Sequence, residues 1–235
     1  MADLTCIDLG VVSYGAALRL QEQLLRHVAS AREERAYLLL AEHDPPVITL
    51  GRKADPRHIL ASPEKLAKLG IEVHGISRGG GATYHGPGQV VGYPVFRPSE
   101  RGFGVREYVA GLEEVLIRVV GRFGVAARRI QGLPGAWVRR KKIGAVGVAF
   151  RHWIAYHGFA LNVCPELPHF DRIVPCGIRD CRVTSLERLG CECASVGRVK
   201  GMLVEEMKGV FSFRSATAES IGECLPRLSY EEASV

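Results

Sequence analysis

The chain has 235 residues, of which 47% are hydrophobic and 24% charged, and this balance excludes the disordered and fibrous classes of protein. Its length allows one substantial hydrophobic core. No uncharged apolar stretch is long enough to span a bilayer, and the start, MADLTCIDLG, lacks the basic and apolar regions of a signal peptide. We therefore expect a cytoplasmic protein with no membrane partner.

The formal charge of +6 favours acidic partners. Only 7% of the residues are aromatic, and no run interleaves aromatic with basic side chains, so a nucleic acid partner bound by base stacking is poorly supported. The cysteines number seven, which is odd. In a chain that is not secreted we interpret them as reduced thiols, with reactivity confined to one or two.

Hydrophobic periodicity predicts four helices, at residues 16–29, 63–69, 105–123 and 199–210. Strand patterns predict seven strands, at residues 36–40, 45–51, 71–77, 89–96, 136–138, 142–150 and 153–163. Thr184 and Glu187 have the spacing of a capping box, which predicts one more short helix.

Most predicted strands follow one another through short turns, and the helices are grouped at three places. This order favours an α+β fold, a mixed β-sheet with helices packed on one face, over a regular βαβ succession. We expect residues 1–235 to form a single domain. A small C-terminal subdomain at about residues 180–215 remains an alternative. Because the pattern weakens after Ser215, residues 216–235 are expected to be loosely ordered.

Residues 78–89, RGGGATYHGPGQ, contain five glycines. The stretch has neither the lysine of a phosphate loop nor the third glycine of a dinucleotide motif, and both motifs need a helix where QVVGYPVF predicts a strand. A plain hairpin connection remains an alternative. Three consecutive glycines beside donors such as Arg78 and His85 favour instead a loop whose backbone approaches a bound ligand.

Cys176 lies in FDRIVPCGIRD, between a proline and a glycine, and hence on an irregular segment. Backbone amides around such a turn lower a thiol pKa and stabilise an oxyanion, so Cys176 is a candidate nucleophile. The alternative is a small buried apolar side chain, the usual state of cysteine. A zinc site built from Cys176, Cys181, Cys191 and Cys193 is poorly supported, because no C-x₂-C pair occurs.

Lys142 ends the run RRKK and opens the strand pattern KIGAVGV. A lysine amine held in an apolar pocket loses proton affinity and can act as the base that a thiol requires, whereas a charged amine would stabilise the thiolate. The alternative for any member of RRKK is a solvated turn.

Four segments resemble, in the same order, motifs of the lipoyl(octanoyl) transferases, which are octanoyl-acyl-carrier-protein:protein N-octanoyltransferases. The segments are RGGGATYHGPGQVVGYPV, KIGAVGV, HGFALNV and IVPCGI…VTSL, and EHDPPVITLGRKA resembles the strand and turn upstream of them. The likeness covers roughly residues 8–215. It implies the catalytic fold of the biotin and lipoate protein ligases, a mixed sheet flanked by helices.

The resemblance also implies an activity. In that family a cysteine takes the octanoyl group from octanoyl-acyl carrier protein as a thioester and passes it to a lysine of a lipoyl domain. Such domains belong to 2-oxoacid dehydrogenase complexes or to the glycine cleavage H protein. By motif, the acyl-thioester cysteine is Cys176 and the activating lysine is Lys142. Neither a cofactor nor a metal is implied.

The residues expected by motif to bind the acyl group are Arg78, Gly79, Gly80, Gly81, Ala82, Thr83, Tyr84, His85, Ala145, Val146, Gly147, Gly158, Phe159 and Ala160. One residue departs from the family pattern, because Gly81 stands where a glutamine or similar polar residue is usual. This puts the fine shape of the pocket in question. The closest alternative activity is an ATP-dependent lipoate or biotin ligase of the same fold, which needs no cysteine.

Strand alternation in WIAYHGFALNV places Phe159 and Leu161 on one face and Gly158 and Ala160 on the other. The second face is small, as is the AVG at residues 145–147. Two adjoining strands that lack side-chain volume predict an apolar slot. At about 0.8 kcal/mol per buried CH₂, an eight-carbon chain in it would contribute roughly 5 kcal/mol.

Overall fold

The computed structural model describes residues 2–174 and 181–220. The α-helices are α1 (Tyr14–Ser30), α2 (Pro63–Lys68), α3 (Val105–Gly121) and α4 (Val196–Val210). The strands are β1 (Leu4–Val12), β2 (Ala36–His43), β3 (Val47–Leu50), β4 (Glu72–Gly75), β5 (Ala82–His85), β6 (Gln89–Val95), β7 (Arg128–Ile130), β8 (Leu133–Val138), β9 (Lys141–Arg151), β10 (Ile154–Asn162), β11 (Arg182–Val183) and β12 (Ala216–Glu219). None of the described helices is both long and apolar enough to cross a bilayer.

A large mixed sheet forms the centre of the molecule, with strand order β12-β1-β2-β6-β10-β9-β8-β7 and with β11 paired to the start of β9. β1 runs parallel to β12 and β2, whereas β2, β6, β10, β9, β8 and β7 follow one another antiparallel. A second, small sheet has the order β4-β3-β5. The mixed sheet that the sequence predicts is therefore confirmed.

The two faces of the large sheet bury different cores, because side chains alternate along each strand. On β2, Leu38 and Leu40 pack in a core with α3 and α4, whereas Leu39 and Ala41 pack in a core with α1. The expectation of helices on one face is wrong. Helices flank the sheet on both faces, because strands such as β2 bury apolar side chains on both sides and each side needs a covering helix.

The small sheet has its own core, in which Ile48, Tyr84 and Phe170 are buried. Its strand β5 pairs antiparallel with β3, so that Leu50 lies opposite Ala82 and Val47 opposite His85. The sequence predicts a loop over residues 78–89, but four of them, Ala82–His85, form the strand β5. The glycine-rich turn is correspondingly shorter and lies directly against the end of β3.

The predicted capping box at Thr184 is wrong in its capping residue. The 3₁₀ turn Glu187–Leu189 has no side-chain cap of its own, and the Ser185 hydroxyl accepts the Arg188 backbone N–H at 3.1 Å. The Thr184 hydroxyl is buried without a hydrogen-bond partner in the described structure. The capping hydroxyl is therefore that of Ser185, one position after the predicted Thr184. Sequence spacing alone does not distinguish two adjacent hydroxyl residues.

The C-terminal elements join the main body of the protein. α4 packs against α3, and its Leu203 and Met207 lie in the same core as Leu112 and Leu116 of α3. Strand β12, within the segment expected to be loosely ordered, pairs parallel with β1, with Leu4 opposite Ala216. Residues 221–235 of that segment lie outside the described residues.

The glycines of the fold generate a testable contrast in stability. Gly92 of β6 lies opposite Phe159 of β10, and a Cβ on Gly92 would meet the buried Phe159 ring. Gly92→Ala should therefore lower the free energy of unfolding by about 1–3 kcal/mol, because the ring cannot leave the core. The measurement is urea denaturation followed by circular dichroism.

The matched control is Gly201 in α4, where an added Cβ meets nothing within 4 Å. Gly201→Ala should raise the free energy of unfolding by about 0.5–1 kcal/mol, since alanine loses less backbone entropy in a helix. Equal effects of the two substitutions would contradict the packing of Phe159 over Gly92.

Candidate active site

A narrow slot lies between β9, β10 and the glycine-rich turn. Ten of the fourteen residues predicted to bind an acyl group line it: Arg78, Gly80, Thr83, His85, Ala145, Val146, Gly147, Gly158, Phe159 and Ala160. The surface of the slot is mostly apolar. The structure thus brings together three segments that are up to 82 positions apart in the sequence, from residue 78 to residue 160.

The floor of the slot depends on two glycines that lie opposite each other. Gly147 of β9 pairs with Gly158 of β10. A Cβ on Gly147 would stand 3.0 Å from the Arg78 Cδ, and a Cβ on Gly158 would meet the backbone oxygen of Gly92. Both positions therefore exclude larger side chains, because Arg78 packs against β9 at Gly147 and β6 packs against β10 at Gly158.

Four predicted residues do not line the slot, and their contacts explain why. Tyr84 is buried, with its hydroxyl 2.8 Å from His169 Nδ1 and its ring edge-on to Phe170. The Gly79 backbone N–H donates to the Val148 oxygen at 2.9 Å and so ties the turn to β9. Gly81 and Ala82 connect the turn to β5, where the Gly81 oxygen accepts the Gly51 N–H at 3.2 Å.

The glycine-rich turn packs tightly against the end of β3. Gly80 has a φ of +89°, a conformation that side chains disfavour, and its oxygen accepts the Lys53 N–H at 3.1 Å. A Cβ on Gly51 would stand 2.5 Å from that same oxygen. The backbone of the turn therefore lies directly against the end of β3, and the positive φ of Gly80 requires glycine at that position.

Arg78 brings a positive charge to the wall of the slot. Its side chain is only 8% exposed. The guanidinium donates to the Thr49 carbonyl and hydroxyl oxygens at 2.8 and 2.9 Å and to the Gly79 oxygen at 3.0 Å. These bonds fix the guanidinium plane, so the cation is held in one orientation beside the slot.

Five further residues line the slot, and no sequence motif predicts them: Tyr14, Ile76, Val91, Tyr93 and His157. Tyr14 opens α1, and Val91 and Tyr93 alternate along β6. No motif marks these positions. The period-two pattern of QVVGYPVF was the one available signal for Val91 and Tyr93, since both lie on the same face of β6.

A buried histidine and a tyrosine support one end of the slot. His43 Nδ1 lies 3.0 Å from the Val12 oxygen, and because a carbonyl only accepts, this nitrogen carries the proton. Burial lowers the pKa of His43, so the ring is neutral and its Nε2 accepts from the Tyr93 hydroxyl at 2.6 Å. The Tyr93 ring is thereby fixed in place.

A second polar chain runs from the slot toward β11. The Gln89 amide nitrogen donates to the Tyr84 oxygen at 3.3 Å and to Asn162 Oδ1 at 2.8 Å. Its oxygen therefore accepts from His85 Nδ1 at 2.6 Å. Asn162 in turn donates to the Thr184 oxygen at 2.9 Å. Every link is buried, so the chain joins the slot rigidly to the segment after β11.

Lys142 lies at the other end of this chain. The Thr184 backbone N–H donates to the Lys142 oxygen at 2.9 Å, and Val183 of β11 pairs with Lys142. The Lys142 side chain is 5% exposed, its Nζ donates to the Pro134 oxygen at 3.0 Å, and it lies 4.8 Å from the centre of the Trp137 ring. The amine is therefore held inside the protein, on the face that carries the slot.

The four residues of the RRKK run lie in two different environments, a solvated turn and a buried pocket. Arg139, Arg140 and Lys141 are exposed around the turn before β9, as a solvated turn requires. Lys142 alone among the four is buried. A small pocket that Lys142 lines shares Thr83, Ala145 and Ala160 with the slot, so Lys142 lies next to the slot.

The predicted nucleophile, Cys176, lies outside the described residues. The described chain on either side of it, at Ile173 and Cys181, lies beside Val183 in a groove next to the Lys142 pocket. Within residues 2–174 and 181–220, no group of three or more histidine, cysteine or acidic side chains is arranged to hold a metal ion.

The family described as the lipoyl protein ligase A/B catalytic domain matches residues 13–208. The chain belongs to this family. Among curated relatives, the octanoyltransferase of Acidobacterium capsulatum is 43% identical, with 96% of this chain and 97% of the relative covered. The octanoyltransferase of Chloroflexus aggregans is 44% identical, with 94% and 100% covered.

Solved structures of ligases share the fold of this family member. A lipoate-protein ligase A bound with ATP has a TM-score of 0.77 at 18% identity, with 98% of this chain and 93% of that chain covered. The bipartite lipoate protein ligase of Thermoplasma acidophilum has a TM-score of 0.78 at 18% identity, with 98% and 92% covered. A biotin protein ligase of Aquifex aeolicus has a TM-score of 0.52 at 11% identity, with 90% and 71% covered. The predicted ligase-type fold is confirmed.

The buried histidines give the family member a testable pH dependence. Burial lowers the pKa of His85 and of His157 to about 3, from 6.5 in an exposed side chain. The unfolded chain therefore takes up protons that the folded chain excludes as the pH falls from 6.5 towards 3. Each ring should cost about 1.4 kcal/mol of stability per pH unit well below 6.5.

His85→Asn should reduce that slope by about one proton, because asparagine keeps an N–H donor for Gln89 without titrating. The free energy of unfolding is measured by urea denaturation at about pH 5, 6 and 7. The exposed His152 provides the control, and His152→Asn should leave the slope unchanged. An unaltered slope in the His85 variant would contradict a neutral buried ring.

Proposed function

We propose that the protein is an octanoyltransferase that moves an octanoyl group from octanoyl-acyl carrier protein, through a thioester on Cys176, to a lysine of a lipoyl domain. The observation that carries the proposal is the buried Lys142, which lines a small pocket that shares Thr83, Ala145 and Ala160 with the mostly apolar slot. Relatives 42–46% identical over most of the chain are octanoyltransferases, which supports the same acyl group.

In the first half-reaction, Lys142 takes the thiol proton of Cys176. The thiolate attacks the carbonyl carbon of the donor thioester, and backbone amides near Gly177 or in the glycine-rich turn stabilise the oxyanion. The bond from that carbon to the Cys176 sulfur forms as the bond to the carrier's sulfur breaks. The leaving thiolate then receives the proton from Lys142.

In the second half-reaction, the target lysine attacks the acyl-enzyme as an uncharged amine. A carbon–nitrogen bond forms, the thioester bond to Cys176 breaks, and the surplus proton of the amine passes through Lys142 to the Cys176 thiolate. The thioester of the donor is already activated, so the transfer requires no nucleotide or other cofactor. Two separate transfers predict ping-pong kinetics.

The proposed partners agree with the charge of the protein. Acyl carrier proteins and lipoyl domains are typically acidic, and a chain with a formal charge of +6 attracts both at low ionic strength. The acceptors that we propose are the lipoyl domains of 2-oxoacid dehydrogenase complexes and the glycine cleavage H protein.

The nucleophile is tested by intact-protein mass spectrometry after incubation with octanoyl-acyl carrier protein. We expect a mass gain of one octanoyl group, absent in Cys176→Ala and retained in variants of the exposed Cys164 and Cys193. Lys142→Met should slow acylation on the order of 100-fold, since it removes the general base. The exposed neighbour Arg140→Met should have little effect.

Two results would contradict this reaction. One is an unchanged mass gain in the Cys176→Ala variant. The other is product formation by that variant from free octanoate and ATP, which would identify an ATP-dependent ligase instead.

The slot is tested through the length of the acyl chain. Four methylenes distinguish octanoyl from butyryl, which at about 0.8 kcal/mol each gives on the order of 100-fold preference for octanoyl. Ala160→Leu adds volume where the slot meets the Lys142 pocket and should abolish most of that preference. The ratio of acylation rates with the two donors is the measurement.

The control for chain length is Val163→Ile, which adds volume on the opposite face of the sheet, in the core with α3. This variant should keep the parent preference. If Ala160→Leu also kept it, the acyl chain would not lie in the slot.

A further inference from the structure

A second cavity lies on the other side of the Lys142 pocket. We call it the outer groove. It is open to solvent, has a volume of about 640 Å³, and lies between β11, the start of β9 and the 3₁₀ turn Leu167–Arg172. Its size falls within the range of ordinary ligand sites, and no step proposed above uses it.

The outer groove and the slot form one path past Lys142. The Lys142 pocket shares Ala145 and Ala160 with the slot, and it shares Phe170 and Val183 with the outer groove. An elongated ligand could therefore place one end in the slot, pass the amine and leave through the outer groove. The reacting carbon of such a ligand would lie near Lys142.

The outer groove has one apolar side and one cationic side. Leu60, Leu167 and Ile173 contribute apolar surface, and the Leu60 side chain is 61% exposed. Lys141 and Arg182 contribute the charge, and they lie opposite each other on the paired strands β9 and β11.

A third cation, Arg188, follows on the next turn. None of the three cations forms an ion pair within 4.0 Å with a carboxylate of the described chain. Asp171 is the carboxylate among the described lining residues, so the lining carries three positive charges against one negative charge.

This combination fits a ligand with an anionic phosphate at one end and a largely uncharged chain behind it. Arginine and lysine side chains that are not engaged by carboxylates are the usual protein ligands of phosphate. The side chain of an acceptor lysine fits less well, because it is protonated in solution and the cationic side would repel it.

We propose that the outer groove binds the phosphopantetheine arm of the donor carrier protein. The phosphodiester lies against Lys141, Arg182 and Arg188, the pantetheine chain lies along the apolar side, and the thioester reaches Lys142. This inference rests on the proposed function, because it assigns a binding site to the proposed donor.

The test compares two enzyme variants with matched loss of charge. Lys141→Gln, Arg182→Gln and Arg188→Gln are combined in the groove variant. Arg19→Gln, Arg32→Gln and Lys208→Gln are combined in the control, since these residues are exposed and none lines the outer groove. Cooperative thermal unfolding of both variants confirms that they fold.

Acylation rates are measured by quenched mass spectrometry with three donors: octanoyl-acyl carrier protein, free octanoyl-phosphopantetheine, and octanoyl-pantetheine, which lacks the phosphate. The groove variant should lose about tenfold in second-order rate constant with the two phosphorylated donors. With octanoyl-pantetheine its rate should match the parent within about twofold. The control variant should keep the parent rate with octanoyl-phosphopantetheine.

Three outcomes would overturn the inference. An equal loss with octanoyl-pantetheine would show that the cations do not recognise phosphate. A loss with the carrier protein but not with free octanoyl-phosphopantetheine would assign the cations to the body of the carrier. A normal acylation rate with slow transfer to a lipoyl domain would assign the outer groove to the acceptor.

Failure of the proposed function has a different signature. In that case the parent protein would not be acylated by any of the three donors, before any variant is compared. The inference about the outer groove would then fall with it.

Discussion

The structure depends on the pairing of β9 with β10, because this pair lies between the hydrophobic core with α3 and the slot. Phe159 and Leu161 lie in the core with α3, and Gly158 and Ala160 line the slot, which Phe159 also borders. A single strand thus supplies both the packing that holds the sheet and the open space beside it. Gly147, opposite Gly158, lets the Arg78 side chain pack against the neighbouring strand β9.

The position of Lys142 follows from this pairing and from a buried polar chain. Lys142 lies at the start of β9, beyond the point where β10 ends at Asn162, and β11 takes the vacant pairing position. Asn162 bonds Gln89 on one side and the Thr184 oxygen on the other, so β6, β10 and the segment after β11 are fixed together. A buried polar chain with all these bonds made is costly to break, which holds the amine in register with the slot.

Local patterns in the sequence were sufficient for the elements whose signal is periodic. The bounds of α1 and α3 and the alternation along β10 agree with the predictions from the sequence. The burial of Lys142 decides between the two alternatives that the sequence left for this residue. Long-range features were not predictable. The placement of helices on both faces depends on which side of the sheet the chain crosses, and Tyr14 reaches the slot from a helix more than sixty positions before Arg78. The strand β5 was missed because glycines beside it obscure a four-residue pattern.

The indole of Trp137 next to Lys142 has a practical consequence for spectroscopy. The protein contains two tryptophans, and the other, Trp153, is 68% exposed. A soluble quencher such as iodide would suppress the emission of Trp153 and leave that of Trp137, which is 2% exposed. The Trp137 ring centre lies 4.8 Å from Lys142 Nζ. The residual fluorescence would therefore be an intrinsic reporter of the charge on that amine.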